Sequence, residues 1–191
     1  MKKILFIYLF ALIPLFNTTI IAQTQLNENG IYELKIVEQY ENKNASVLYQ
    51  QSLITLSDVC GNNKSKINID VADKDANIII YKGEFYLGFK KVNTMYGYDV
   101  YAVFTLKIKC KDNKVQYIVT VPSLHMYWTA KIGGDEVVPL NEIIPEFTHK
   151  SKLYYLKKGA IEYAPTIDYN MKMLQKTIVD KTKTNITNDD F

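Results

Sequence analysis

The chain has 191 residues, 23 basic side chains against 20 acidic ones and a formal charge of +3, and every basic residue is a lysine. Arginine, whose planar fork makes bidentate contacts to phosphate and guanine, is absent, so the composition argues against nucleic-acid recognition. Removing the leader described next takes two lysines and no acid, leaving 21 basic residues against 20 acidic ones, a balance too near neutral to name a partner.

Met1-Lys2-Lys3 is a positive start and Ile4 to Phe16 an uncharged apolar run, the two parts of a secretory signal peptide. Pro14 and then Asn17-Thr18-Thr19 cut the run short of the roughly 20 apolar residues that a bilayer span needs. Cleavage is expected between Ala22 and Gln23, although Ile20 is bulkier than the small residue usual at that position. No cysteine lies near the junction to carry a lipid, so no stable membrane anchor is expected. The mature chain is expected to be exported and soluble, periplasmic or extracellular. About 169 residues then remain, enough for one domain with a tail.

After a polar lead over 23–30, Tyr32, Leu34 and Ile36 alternate with Glu33 and Lys35 as in a half-buried strand. Asn44 can cap a helix over about 45–59, in which Leu48, Tyr49, Ser52, Leu53 and Leu56 recur at helical spacing, and Gly61-Asn62-Asn63 terminates it. Ile67, Ile69 and Val71 begin a hairpin that turns at 72–76. Its return strand puts Ile79, Tyr81, Phe85, Leu87 and Phe89 on one face, and Lys82 and Glu84 on the other. Tyr98, Val100, Ala102, Phe104, Leu106 and Ile108 form the clearest apolar face, opposed by Tyr101, Val103 and Thr105. A turn at 111–114 leads to Val115, Tyr117, Val119 and Val121, and Pro122 is expected to stop that strand. The α+β sheet domain is thus placed at 31–122.

Residues 123–163 read as a loop-rich segment punctuated by Gly133-Gly134, Pro139 and Pro145. Pro165 suits the first turn of a helix over 164–181 with Ile167, Met171, Leu174 and Ile178 along one side, and 182–191 reads as a frayed tail. The order β-α-β-β-β-β-loop-α predicts a two-layer α+β domain, an antiparallel meander with helices on one face.

Three stretches, Tyr32 to Leu56, DKDANIIIYKGEFYLG (Asp73 to Gly88) and YAVFTLKIKCKDNKVQYIVTV (Tyr101 to Val121), resemble a family of secreted bacterial domains of unknown function with a TATA-box-binding-protein-like fold. Asn113 stands where a glycine is more usual in the Lys-Asp turn, and Gln116 where a basic residue is expected. The resemblance implies a shape and no activity, since fold does not fix function.

Two cysteines in an exported chain ordinarily pair. Here the strand count puts Cys60 and Cys110 at opposite ends of the sheet, separated by roughly 30 Å at about 3.4 Å per residue, so both are expected to be free. His125 and His149 come without metal-ligand spacing or a nucleophile motif, so no metal, cofactor or enzymatic activity is expected. The expected function is a non-enzymatic module that binds an envelope protein, peptide or surface polymer through its open sheet face, where Tyr86, Tyr101, Val103 and Ile118 fall opposite the core positions. The competing expectation for that face is that the segment from Ser123 to Glu146, with Tyr127 and Trp128, folds back over it. The alternative function is a carrier of a small apolar ligand, in a cavity walled by residues such as Phe85, Phe104 and Met171.

Overall fold

Alternation along the longest apolar-faced strand decides the layering. In the computed structural model, which describes residues 25–26, 31–60, 68–91, 97–128, 136–140 and 152–188, every even position of that strand from Tyr98 to Cys110 is buried and every odd one is partly exposed. The leader and its Ala22–Gln23 junction lie outside the described residues. The elements are β1 (Gln25–Leu26), β2 (Tyr32–Gln39), α1 (Ala45–Cys60), β3 (Asn68–Asp73), β4 (Ile78–Lys91), β5 (Gly97–Lys111), β6 (Lys114–Trp128), β7 (Glu136–Pro139) and α2 (Lys152–Asn188). The strands run in the order β1-β2-β6-β5-β4-β3 with antiparallel neighbours, and β7 joins β6 beyond the end of β2. Leu48 and Leu56 of α1 and Ile167, Met171 and Ile178 of α2 share one buried cluster with the even residues of β5 and with Leu34, Ile79, Tyr117 and Val119. The architecture is α+β, with the helices on one face of an antiparallel sheet.

Several boundaries differ from the sequence reading, each for a physical reason. Pro122 does not stop its strand, and β6 continues to Trp128. Val103 pairs with Ser123 and Thr105 with Thr120, so Val121 and Pro122 together oppose Phe104 in a β-bulge, a place where a residue without an N–H is tolerated. The segment 123–163 is therefore not loop-rich throughout: it supplies the end of β6, all of β7 and the start of α2. That helix begins at Lys152 rather than at 164, which leaves Pro165 inside it. Nor is 182–188 a frayed tail, because Thr182 and Ile186 are buried. The Thr182 hydroxyl and the Asn185 amide donate to Thr55 Oγ1 at 3.2 and 3.0 Å, and Lys183 pairs with Glu38 at 2.7 Å. In the polar lead, Gln25 and Leu26 pair with Glu33 and Tyr32.

Phe89 also changes sides. Tyr86 pairs with Tyr101 but Gly88 with Val100, so Leu87 is an extra residue and the alternation of β4 reverses after it. Gly88 holds the bulge at φ 130°, a conformation that side chains rarely adopt.

The turn between β5 and β6 explains Asn113. It sits at φ 62°, where asparagine is tolerated, and its side chain does what a glycine could not: Oδ1 accepts from Lys43 N at 3.1 Å. The Asn113 carbonyl accepts from Tyr40 N at 2.8 Å, and Asp112 Oδ1 accepts from Ala45 N at 2.8 Å. Asn44 Oδ1 accepts from Val47 N at 2.9 Å, so α1 starts with an N-cap from the residue before it and a second one from the hairpin.

Cys60 and Cys110 are both free and buried. Cys110 Sγ lies 3.9 Å from Ser52 Oγ. Cys60 comes eight residues later on α1, about 12 Å further along at 1.5 Å per residue, where its thiol abuts the Tyr81 hydroxyl. The strand-length separation is thus an overestimate, because the helix advances less than half as far per residue as a strand. It still exceeds the roughly 7 Å limit of a disulfide. Burial pushes both thiols up, Cys110 to about 11.

Candidate binding face

Odd positions of β5 point away from the helices, and the register carries that face across the sheet. Tyr101 is flanked by Tyr86 on β4 and by His125 on β6, and His125 in turn by Val137 on β7. One row on, Val103 is flanked by Glu84 and Ser123, and on the other side Asp99 is flanked by Phe89 and Tyr127. Tyr86, Phe89 and Val137 are 53%, 52% and 58% exposed, so three large apolar groups lie open around a half-buried centre.

The side chains interlock. Tyr86 and Tyr101 have ring centroids 5.2 Å apart, and Tyr127 meets Tyr101 edge-on at 5.2 Å and 89°. Such pairs contribute about 0.5–1.5 kcal/mol each beyond their buried area. His125 lies against the Tyr127 ring at 3.9 Å. Glu84 ties the group down: its Oε1 lies 2.7 Å from His125 Nδ1, and both carboxylate oxygens accept from the Tyr127 hydroxyl, at 3.3 and 3.2 Å. The Tyr86 hydroxyl donates to Asp99 Oδ1 at 3.1 Å. Aromatic walls held at fixed angles and two carboxylates form a preorganised surface, suited to cationic or hydrogen-bonding groups.

All four residues named from the sequence lie on this face, in two places. Tyr86, Tyr101 and Val103 fall within the aromatic cluster. Ile118 pairs with Lys107 and Lys35 two rows beyond Val103, in a lysine-bearing part of the face. Sequence reasoning missed Glu84, His125 and Tyr127 as members of one group. The missed signal is that the period-2 pattern of β6 resumes after Pro122, with Leu124 and Met126 buried and His125 and Tyr127 opposite. Tyr127 therefore belongs to the face rather than covering it, and β7 widens the sheet beside it. Residues 129–135 and 141–151 lie outside the described residues.

On the helix side, Phe104 stacks on Phe85 at 4.3 Å and 16°, and Met171 is wholly buried. Of the residues named as walls of a ligand cavity, Phe104 and Met171 are buried in the core and Phe85 is partly buried against it. Among the described residues no group of three or more His, Cys, Asp or Glu side chains could hold a metal, and no helix is long and apolar enough to cross a membrane.

Comparison with known proteins agrees with this architecture. Residues 35–124 match the family model described as a domain of unknown function (DUF4468) with TBP-like fold. A TBP-like protein from Parabacteroides distasonis ATCC 8503, 12% identical, superposes with a TM-score of 0.53 over 84% of this chain and 97% of its own. A DUF4468 family protein from Bacteroides ovatus ATCC 8483, also 12% identical, does so with a TM-score of 0.51 over 79% of this chain and 85% of its own. No curated protein matches the sequence. At such identities the likeness is one of fold, and the fold is TBP-like.

Proposed function

We propose that this chain, which carries the TBP-like DUF4468 domain of unknown function over residues 35–124, is an exported, non-enzymatic binding module whose contact surface is the open sheet face. The observation behind this reading is the Tyr86–Tyr101–Tyr127 cluster. Its rings pack against one another and against Glu84 and His125, yet Tyr86 is 53% exposed. Contiguous exposed aromatic surface mostly marks a site of interaction, and tyrosine is enriched where binding energy concentrates. The partner class is a protein, peptide or surface polymer of the cell envelope.

Replacing both Tyr86 and Tyr101 by alanine tests this. Measured on dilute protein, the double variant is expected to lose less than about 3 kcal/mol of stability, the order of the two ring contacts removed, while capture of envelope components falls at least tenfold. A loss of about 3–5 kcal/mol, as for a truncated buried aromatic, would make this face core and remove the basis of the proposal. Export is tested separately by mass measurement of the chain recovered from cells. A species beginning at Gln23 is expected, and one retaining Met1 to Phe16 overturns that part.

A further inference from the structure

The open face carries two different halves, and their arrangement along the strands is self-complementary. The aromatic half holds Glu84, Asp99 and Tyr101. The other half holds Lys82, Lys107 and Lys109, on the same two strands and the same face. Glu84 pairs with Val103 and Lys82 with Thr105, so on β4 and β5 alike the two halves meet between the same two rows.

We propose that the open face is a two-fold interface between two copies of this chain, an inference that rests on its being the contact surface. The axis lies in the plane between the copies and runs across the strands, between the Val103 and Thr105 rows. Rotation about it places β5 over β5 in the opposite direction. Counting residues outward from the axis, Asp99 of one copy faces Lys109 of the other, Tyr101 faces Lys107, and Glu84 faces Lys82. Each contact occurs twice, as in any isologous interface. On β4 the same operation lays the exposed Tyr86 ring on Ile80. Charge therefore meets opposite charge, and the lysine opposite Tyr101 reaches an aromatic face suited to a cation.

Charges already paired within the chain do not block this. Lys82 bonds Asp70 at 2.9 Å and Asp99 accepts from Tyr86, but a carboxylate has about four acceptor sites and an ammonium three donors. Size also fits. About four strands, about 4.8 Å apart, in each of six rows about 6.7 Å apart cover roughly 800 Å², the area that each partner contributes to a standard specific interface. Aligned face-to-face packing of two twisted sheets is a common arrangement.

Sedimentation velocity and light scattering on the purified chain, followed by a charge swap, test the proposal. The wild type is expected to be a dimer that weakens as salt is raised. Asp99→Lys and Lys109→Glu each create two like-charge contacts and are expected to weaken dimerisation at least 100-fold. An equimolar mixture of the two variants restores both contacts and is expected to dimerise like the wild type. A monomeric wild type at several hundred micromolar, single variants that dimerise normally, or a mixture that stays monomeric would each overturn it. If either variant fails to show the wild-type circular dichroism, Glu84→Lys with Lys82→Glu repeats the swap on β4. Failure here leaves the binding face standing as long as Tyr86→Ala with Tyr101→Ala spares stability, whereas a large loss of stability in that double variant removes both.

Discussion

Between pH 10 and 12 the protein is expected to unfold cooperatively. Tyr117 is wholly buried, and desolvation pushes its phenol up to about 12 even though the neighbouring hydroxyls of Tyr40, Thr182 and Ser52 favour the charged form. Tyr40, whose hydroxyl lies 3.1 Å from that of Tyr117, and Tyr81 are pushed higher still, by burial first in each case. In the unfolded chain all three ionise near 10. Because the folded values are raised, the stability from keeping these phenols neutral is fully present below about pH 10 and is lost as pH rises through the folded values. For Tyr117 alone a displacement of about two units is on the order of 3 kcal/mol. Tyr40 and Tyr81 act in the same direction, against the roughly 5–15 kcal/mol that holds a domain folded.

Phenolate absorbance and circular dichroism, followed together, check this. Tyr40, Tyr81 and Tyr117 are expected to ionise only as the dichroism is lost. Ionisation of all of them near pH 10 with the dichroism intact would contradict it. Tyr81→Phe is the internal control. The Tyr81 hydroxyl has no oxygen or nitrogen partner, only the weakly bonding Cys60 thiol beside it, so its removal should leave neutral-pH stability unchanged or higher and raise the midpoint of alkaline unfolding.

Phe104→Ala is expected to cost about 4 kcal/mol in chemical denaturation, the middle of the range for a truncated core aromatic. Its ring is 3% exposed, stacks on Phe85 and lies 6.1 Å from Tyr81. It also covers Gly83, where a Cβ would come within 2.6 and 2.8 Å of its atoms. Gly83→Ala should therefore push the ring aside at a cost of about 1–3 kcal/mol. In the double variant the alanine occupies space that the ring has vacated, so the two costs should sum to well over the measured loss. Strict additivity would show that ring and glycine are not coupled.

Legibility in the sequence followed the regularity of the backbone. β5 has fifteen residues without an irregularity of its own, so period 2 gave its buried face correctly from Tyr98 to Ile108. β4 was readable only as far as Leu87, because alternation cannot register an extra residue and Phe89 emerged on the opposite face. At Pro122 a sound rule met its known exception: proline is excluded from the ladder except where a bulge spares the N–H. Taking the rule without the exception also cost His125 and Tyr127, and with them the Glu84 cluster. In α2 the proline at 165 suggested a start, whereas burial of Ile167, Met171, Ile178, Thr182 and Ile186 outweighs local propensity and carries the helix past the predicted end at 181. Side-chain partnerships such as Asn113 with Lys43 join residues seventy positions apart and left no local trace.

The proline bulge in β6 has a mechanical consequence. On one edge, residues 114–121 are bonded to β2 and residues 123–126 to β7, two separate seams laid end to end along one strand. Pro122 occupies the joint and can belong to neither seam through an N–H. A tear that opens the outer seam, by pulling β7 away, meets no ladder bond at the joint through which to run on. It stops there as a crack stops at a drilled hole, and the inner seam under α1 and α2 keeps its load.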